Sequence, residues 1–453
     1  MTENDPGRRH IDIRVPVLAR VEGEGALEIR ARDGRIQQLQ LRIFEPPRYF
    51  EKFLEGRSWE EVPDLVARIC GICPVAYQMS AVQALEQAFA TVPGAWVDHA
   101  RRLIYCGEWI QSHALHIHLL ALPDFLGFDN AIALAGAHPE VVRRGMDLQR
   151  LGNDLIRLFG GRSVHPVGVR VGGFHRAPDP EAAADLQRRL DQALPRAEEL
   201  VAFLADLDLP RDDQDFISVA LRHEREYPMY AGRIVSDHGL DIPVEAYAGH
   251  FTEEHRPHST ALYSRLHGRP YLVGPLARLN LNHDRLSPRA AAALANSGLR
   301  LPSRNMFHAL LARGIELLQA LEDAHGLLGN DAPEGAPHAQ VSPRAGAGFG
   351  ATEAPRGLLW HHYVTDDEGR VRLARIVPPT AQNQARMEED LRRSLEAFGL
   401  HHDDDALRLR GEMVVRNYDP CISCATHFLK VRIHRDGEDH DGGPIQGMEW
   451  TRF

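Results

Sequence analysis

Four of the five cysteines fall into two pairs with identical spacing. Cys70 and Cys73 form one C-x-x-C in "RICGIC", and Cys421 and Cys424 form another in "DPCISCATH". Each pair presents both sulfurs from a single turn, and soft thiolates suit zinc, nickel, copper(I) or iron. The two pairs could therefore bind one metal centre through four sulfurs. Cys106 stands alone in a helical stretch, and we expect it to be buried packing.

The distance between the pairs limits what kind of centre they can form. Zinc ribbons place their pairs roughly 12 to 20 residues apart, whereas these pairs lie near opposite ends of a chain of 453 residues. A local zinc ribbon is thereby excluded. A long-range structural zinc site and a thioredoxin-like dithiol stay open, although the dithiol needs only one pair beside a βαβ unit. A buried reactive metal centre uses both pairs, and it would form only when both ends of the chain are in place.

Composition and charge exclude several classes of function. The chain is 43% hydrophobic and 25% charged, as is usual for a globular protein, and its formal net charge is -11. No basic stripe interleaved with aromatic residues indicates a nucleic-acid partner. No apolar run reaches the roughly 18 residues of a membrane span, and the first residues lack the apolar segment of a signal peptide. We therefore expect a cytoplasmic protein with reduced thiols and no direct membrane span.

The elements that must position the cysteines are mostly helical. Alternating apolar residues between 10 and 44 predict a small N-terminal antiparallel sheet, and helical spacing dominates afterwards. One helix is predicted to begin at Pro74. Four further helices are predicted over Val97–Leu122, Glu181–Leu207, Ser303–Leu328 and Asn383–Phe398. The expected fold is multidomain and mainly α with small α+β parts, in which a long-helix bundle core, the N-terminal sheet and irregular loops surround a buried metal site.

The divisions of the chain follow from these patterns. We expect irregular loops at 164–178, 330–350 and 375–383, and a turn at "GAGFG" before Arg356. His113, His116 and His118 are more simply explained as core or interface histidines than as metal ligands. The expected units are a β-rich lobe at 1–60, a helical bundle at 61–330, an α+β segment at 331–427 and a C-terminal extension at 428–453.

The segments around the cysteines resemble the two metal-binding signatures of the large subunit of nickel-iron hydrogenases. The resemblance extends to "RVEGEG" (20–25), "RYFEKFLEGR" (48–57), "EAPRG" (353–357) and "VPPTAQN" (377–383), in the order of that family. It implies a catalytic large subunit that interconverts dihydrogen with protons and electrons. The segments are most similar to the soluble branch that couples through flavin subunits to NAD(P), some members of which reduce sulfur as a side activity.

The resemblance also assigns the metal ligands. Cys70, Cys73, Cys421 and Cys424 would bind nickel, and Cys73 and Cys424 would bridge to an iron that carries carbon monoxide and cyanide. Because Cys73 precedes the helix predicted from Pro74, we expect the free amides and the dipole of that helix start to favour its thiolate.

A nearby base is required because dihydrogen is a very weak acid, and heterolytic cleavage needs a metal together with a group that takes the proton. The resemblance gives this role to Cys421 and the onward transfer of the proton to Glu22. Glu24 would be a surface residue or would lie just outside the site.

Arg356 corresponds to the family's arginine over the iron, where a guanidinium can bond a cyanide and orient dihydrogen. Asp124 and Asp419 resemble the carboxylates that hold this arginine, and Thr380 would donate its hydroxyl to the second cyanide. Tyr77 stands where the family often has histidine, and its phenol can still donate a hydrogen bond to a sulfur or a cyanide.

Glu51, His427 and the backbone carbonyl of Ile376 resemble the ligands of a magnesium or similar hard ion. In the family the chain is cut after this histidine once nickel is loaded. The resemblance therefore implies maturation factors and a C-terminal endopeptidase that removes 428–453. An ordinary flexible terminus is the alternative.

The electrons need a partner protein. Once the four paired cysteines bind the site, none remain for an iron-sulfur cluster, so we expect an iron-sulfur small subunit and further flavin and iron-sulfur subunits that reduce NAD(P). Two other classes stay open, a redox-inert respiratory subunit of the same fold that binds quinone and a structural zinc protein. Retention of all four cysteines argues against the first, and metal analysis separates the second.

Overall fold

Helices and short sheets alternate along the chain in the computed structural model, which describes residues 10–329 and 333–426. The helices are α1 (Phe50–Leu54), α2 (Val62–Val66), α3 (Pro74–Phe89), α4 (Ala95–Leu115), α5 (Leu122–Leu126), α6 (Ala131–Ala137), α7 (Pro139–Gly160), α8 (Pro180–Ala205), α9 (Tyr247–His250), α10 (Pro275–Asn282), α11 (Pro288–Asn296), α12 (Ala309–Gly329), α13 (Pro379–Phe398), α14 (Asp404–Tyr418) and α15 (Ile422–Ala425). The strands are β1 (Ile11–Val15), β2 (Gly25–Arg32), β3 (Arg35–Ile43), β4 (Val169–Arg170), β5 (Gly173–Phe174), β6 (Val219–Arg222), β7 (Arg233–Ser236), β8 (Asp241–Ile242), β9 (Phe251–His255), β10 (Leu262–Leu266), β11 (Gly346–Ala354), β12 (Gly357–Thr365) and β13 (Val371–Val377).

The predicted N-terminal sheet is confirmed. β1, β2 and β3 pair in sequence order as an antiparallel sheet. Asp33 and Gly34 connect β2 to β3, and both have positive φ, as the mirror-image turns of tight hairpins require. The buried face of this sheet shares one hydrophobic cluster with side chains of α13 and α14. The sheet thus packs against the helices that precede the second cysteine pair.

The predicted bundle of long helices is also confirmed. Buried side chains of α3, α4, α7, α8 and α12 belong to one hydrophobic cluster that also contains all four cysteines of the two pairs. Cys106 is buried in this cluster, as expected. The predicted segment Val97–Leu122 is a helix that widens into a π-helical turn at His116–Ala121 before α5 begins. The core therefore surrounds the cysteines.

The expected turn at "GAGFG" is wrong, because these residues begin β11. β11, β12 and β13 form an antiparallel sheet, and α3 lies across it. A Cβ atom on Gly346, Gly348 or Gly350 would come within 2.6 Å of a backbone carbonyl oxygen of α3. The alternating glycines therefore let the helix of the first cysteine pair lie directly on a strand.

The expected irregular passage at 375–383 is likewise regular structure. β13 ends at Val377, and α13 begins at Pro379, which suits the first turn of a helix. Arg356 lies in the two-residue connection between β11 and β12, since Ala354 pairs with Gly357. The sheet thus presents Arg356 at one end and starts the helix that carries Thr380.

Within the described ranges, no single helix is long and apolar enough to cross a bilayer. One bent pair of helical segments, Ala95–Leu126 and Ala131–Ala137, has the length and the apolar composition of a broken span.

Candidate metal centre

The first cysteine pair lies in a short non-helical segment before α3. Cys73 is the N-cap of α3, and Cys70 follows a 3-10 turn. The Cys70 sulfur accepts hydrogen bonds from the backbone amides of Ile72 and Cys73 at 3.3 and 3.2 Å. Burial raises the pKa of the Cys70 thiol, but the hydrogen bond with the Cys73 side chain and the charge of Arg356 outweigh it and lower the pKa. The chain thus favours thiolate at Cys70.

Glu108 of α4 receives the first amides of α3. Its carboxylate accepts hydrogen bonds from the backbone amides of Val75 at 2.6 Å and Ala76 at 3.0 Å. Our expectation that these amides favour the Cys73 thiolate is therefore wrong, because a buried carboxylate already binds them. The sequence analysis missed Glu108, although an acidic residue inside an apolar helical segment is a signal that a buried partner exists.

The second cysteine pair follows a sharp change of direction. α14 ends at Tyr418, Asp419 takes a left-handed conformation with φ 53°, and Cys421 is the N-cap of α15. The Cys421 amide donates to the Thr380 hydroxyl oxygen at 2.9 Å. The start of α13 therefore fixes the backbone of the second pair.

The two pairs meet in the folded chain. The sulfur atoms of Cys70, Cys73, Cys421 and Cys424 are all buried and all lie within 4.8 Å of one another. The Cys70 and Cys421 sulfurs are 3.6 Å apart, and those of Cys73 and Cys424 are 4.0 Å apart. Among the residues that the structure describes, this is the one group of three or more metal-binding side chains.

The sulfurs of Cys421 and Cys424 lie next to each other, because C-x-x-C presents both from one turn. Coordination of a metal by all four residues requires both in the thiolate form.

Glu22 lies against the second pair. Ile422 donates its amide to the Glu22 carbonyl at 3.0 Å, and the amide of Ser423 donates to the Glu22 carboxylate at 3.1 Å. Gly23 has φ +86°, and a Cβ there would lie 2.7 Å from the Ile422 side chain. Glycine thus allows the N-terminal segment to approach α15 closely. Glu24 is exposed.

Of the two carboxylates expected to hold Arg356, Asp419 binds it and Asp124 does not. Its Nε donates to the Asp419 carbonyl at 2.7 Å and its Nη2 to the Asp419 carboxylate at 3.0 Å. Burial raises the pKa of Asp419, but the Arg356 charge outweighs it and holds the pKa below the usual range. The buried guanidinium is therefore neutralised in place.

The expected role of Asp124 at Arg356 is wrong. The Asp124 carboxylate accepts from Arg416 Nε and Nη2 at 2.7 and 2.9 Å, and it also binds Arg20 in a short contact. Arg20 further donates to the Leu120 carbonyl at 2.9 Å. Two other arginines therefore occupy this carboxylate, which ties the segment of Glu22 to the end of α14.

Part of the expected hard-ion site is described. The Glu51 carboxylate accepts from the backbone amide of Ile376 at 2.7 Å, so these two residues are neighbours. His427 and the extension at 428–453 lie outside the described residues. The Arg48 amide donates to the Thr426 carbonyl at 2.7 Å, which places the residue before His427 beside the start of α1.

Tyr77 lies one turn after Cys73 on α3. Its buried ring is 5.7 Å from the His361 ring, and His361 Nδ1 is 2.9 Å from the Tyr363 hydroxyl. Burial raises the pKa of Tyr77. Its phenol therefore stays protonated and can act as a donor.

The three neighbouring histidines belong to the core. Burial lowers the pKa of His113 to about 4 and that of His116 and His118 to about 3. His116 Nε2 lies 2.8 Å from the Arg416 carbonyl, and His118 Nδ1 lies 2.9 Å from the Ala114 carbonyl. All three side chains are buried, as the core interpretation predicts.

A family model described as nickel-dependent hydrogenase matches residues 48–140 and 244–427. The chain is 33% identical to sulfhydrogenase 1 subunit alpha of Pyrococcus furiosus over 93% of this chain and 99% of that protein. It is 29% identical to the NAD-reducing hydrogenase HoxS subunit beta of Cupriavidus necator over 91% and 94%. A solved NAD+-reducing [NiFe]-hydrogenase in the H2-reduced state superposes with a TM-score of 0.84 and 29% identity, covering 92% of this chain and 99% of that one.

Proposed function

Because the chain belongs to the nickel-dependent hydrogenase family, as a large subunit of the nickel-iron enzymes, we propose that it carries out the reversible heterolytic cleavage of dihydrogen. The observation that supports this most directly is the buried group of four cysteine sulfurs within 4.8 Å. The electrons would leave through an iron-sulfur small subunit.

The donor set fits a nickel-iron centre. Thiolates are the soft ligands that nickel and iron accept, and the site is closed to solvent. The four cysteines would hold the nickel-iron centre, whose iron would bear carbon monoxide and cyanide. When bound, the centre supplies the Lewis acidity that makes dihydrogen a usable acid.

The chain's own residues would then move the proton. The Cys421 sulfur accepts it, and the carboxylate of Glu22 receives it next. The contacts of Glu22 with Ile422 and Ser423 support this order, because they hold the carboxylate beside the second pair. Glu22 is half-buried, whereas the sulfurs are buried, so it lies on the way to solvent.

Arg356 and Thr380 would orient the ligands of the iron. Asp419 neutralises Arg356, and one nitrogen of the guanidinium, Nη1, has no partner among the described protein groups. The Thr380 hydroxyl accepts from the Cys421 amide and keeps its own proton for donation. Tyr77 offers a further donor on α3.

A hard ion such as magnesium would bind at Glu51, His427 and the carbonyl of Ile376. The neighbouring positions of Glu51 and Ile376 support this, as does the backbone bond between Arg48 and Thr426. We also propose that maturation factors and an endopeptidase act on the chain and that the endopeptidase cuts after His427. The ion would then hold the new C-terminus next to α1.

The small subunit would dock where the first cysteine pair approaches the surface. We define the docking surface as Tyr49, Phe53, Gly71 and Val164, and the three side chains are 45%, 46% and 50% exposed. A Cβ on Gly71 would lie 3.8 Å from Val164. Exposed aromatic and aliphatic side chains of this kind are typical of interfaces.

NAD(P) is the proposed final acceptor, through flavin and iron-sulfur subunits. The similarity to an NAD-reducing hydrogenase in sequence and structure supports this acceptor, and the similarity to a sulfhydrogenase supports sulfur reduction as a side activity. We propose a cytoplasmic location, where NAD(P) is available.

Metal analysis of the purified complex tests the proposed function. We expect nickel and iron in near-equal amounts beyond the iron of the clusters, together with infrared bands of metal-bound carbon monoxide and cyanide. Zinc alone, without those bands, would overturn the proposal and favour a structural zinc protein.

A further inference from the structure

Arg313 is a buried arginine that forms no ion pair within the part of the chain that the structure describes. It lies in the second turn of α12 and is 1% exposed. Among the described residues, no carboxylate forms an ion pair with it, and its one hydrogen bond runs from Nη2 to the Asn417 carbonyl at 3.2 Å. Nε and Nη1 have no partner among the described protein groups. A buried charge of this kind is normally paired, because removing it from water costs several kcal/mol.

The neighbouring acids are already used by other arginines. Asp419 pairs with Arg356 at 3.0 Å, and Glu316 pairs with Arg278 at 2.6 Å. A second acid, Glu353, also binds Arg278, and burial raises its pKa to about 7. Burial lowers the pKa of Arg313 to about 10 and outweighs the Asp419 charge, which raises it, so Arg313 has no close counter-charge of its own.

The histidines facing this region do not change that balance. His113 and His116 both sense the charge of Arg313, and burial, the larger effect, lowers their pKa to about 4 and about 3. They are neutral at pH 6. They add neither a second positive charge nor a negative one to the neighbourhood of Arg313.

Arg313 lines a small cavity of about 20 Å³. The other lining residues belong to the segments that lead into α10 and α12 and to the end of α14, and they include Met306 and Asn417. Gly274, the N-cap of α10, supplies no side chain to cap that helix. The volume suits one particle of about the size of water or a halide, since roughly 10–15 Å³ holds one water.

We propose that this cavity is a binding site for a small monovalent anion such as chloride, held by Nε and Nη1 of Arg313. The anion would neutralise the unpaired guanidinium, and the uncapped start of α10 would add a favourable dipole. The apolar remainder of the lining excludes large or strongly hydrated anions. The lining includes none of the four cysteines and not Glu22.

Bromide replacement tests the site directly. Crystals of the whole complex, grown at pH 6 with bromide in place of chloride, should show an anomalous peak in the cavity within hydrogen-bond distance of Arg313. Electron density for water without any bromide signal would overturn the proposal.

A second measurement uses thermal unfolding of the complex at pH 6 and constant ionic strength. Replacing gluconate with chloride should raise the unfolding midpoint of the wild type by about 1–3 °C. Arg313→Met should abolish the response, whereas the control Met306→Leu, which changes the lining but keeps the charge, should retain it. Equal responses of wild type and Arg313→Met would contradict the proposal, and if Arg313→Met does not fold, the bromide peak of the wild type decides.

Discussion

At the scale of single residues, the centre depends on contacts that hold charged groups within a buried space. Asp419 neutralises Arg356 through both its carbonyl and its carboxylate. Thr380 binds the amide of Cys421, and Glu22 binds the amide of Ser423. Each of these side chains thus fixes a position on or beside the second cysteine pair.

Removing a paired cysteine should remove the metal. In Cys421→Ala the complex should lose its nickel and its hydrogen-dependent activity, because three thiolates no longer match the four-ligand set. The matched control is Cys106→Ala, which removes a buried cysteine outside the site and should keep the nickel. Elemental analysis of both purified variants measures this. Near-normal nickel content and turnover in Cys421→Ala would remove this residue from the site.

Neutralising Glu22 should slow proton exchange. Glu22→Gln keeps the size of the side chain but cannot accept a proton, so exchange between deuterium gas and water should fall about 100-fold or more. The metals should stay bound. Glu24→Gln, two residues away and exposed, is the control and should exchange normally. Unchanged exchange in Glu22→Gln would show that the proton leaves by another route.

At the scale of elements, α3 is positioned from two sides. The alternating glycines of β11 let its backbone approach the strand, and Glu108 of α4 binds its first amides. Both contacts are made by α3, the helix that Cys73 caps. Movement of α3 would therefore displace the first cysteine pair relative to the second.

A methyl group on the glycine face of β11 should disturb this packing. Gly348→Ala would place Cβ against the carbonyl oxygen of Ala84, and overpacking of this kind costs about 1–3 kcal/mol. We expect a lower unfolding temperature together with reduced nickel retention. The control Gly136→Ala lies in α6 with open space around it and should be neutral or slightly stabilising. A normal unfolding temperature and full nickel retention in Gly348→Ala would show that β11 can move away from α3 at little cost and would contradict the prediction.

At the scale of the whole molecule, the core contains many buried polar groups. Arg278 and Glu316 are fully buried and paired, and burial keeps His113, His116 and His118 neutral. Unfolding would expose these histidines and let them take up protons. The stability of the molecule should therefore depend on pH in a definite direction.

Acid should destabilise the fold through these histidines. The pKa of His118 is about 3 in the folded chain and 6.5 when exposed, so below pH 6.5 the unfolded state binds more protons. Stability should then fall as the pH drops from 6.5 towards 3, by up to about 1.4 kcal/mol per pH unit for each such histidine.

His118→Gln should flatten this dependence. Unfolding midpoints between pH 7.5 and 5 measure the slope, and the exposed His255→Gln is the control that should keep the wild-type slope. An unchanged slope in His118→Gln would show that His118 is accessible to protons in the folded state.

The sequence by itself determined the N-terminal sheet, most of the long helices and the donor set of the site. Alternating apolar residues predicted the N-terminal sheet, Pro74 marked the start of α3, and Cys106 was correctly predicted to be buried. These features could be predicted because local periodicity and helix starts depend on neighbours in the chain. The two C-x-x-C pairs and the flanking segments indicated one centre and its family. The division at residues 60, 330 and 427 stays a prediction.

Only the tertiary structure decided which groups of equal chemistry meet. Asp124 and Asp419 are alike in sequence terms, yet Arg20 and Arg416 occupy the first and leave Arg356 to the second. Glu108 takes the amides expected to face Cys73, and the glycines expected to form a turn belong to a strand. These partners come from distant parts of the chain, and a carboxylate or an amide satisfied by one partner is no longer available to another.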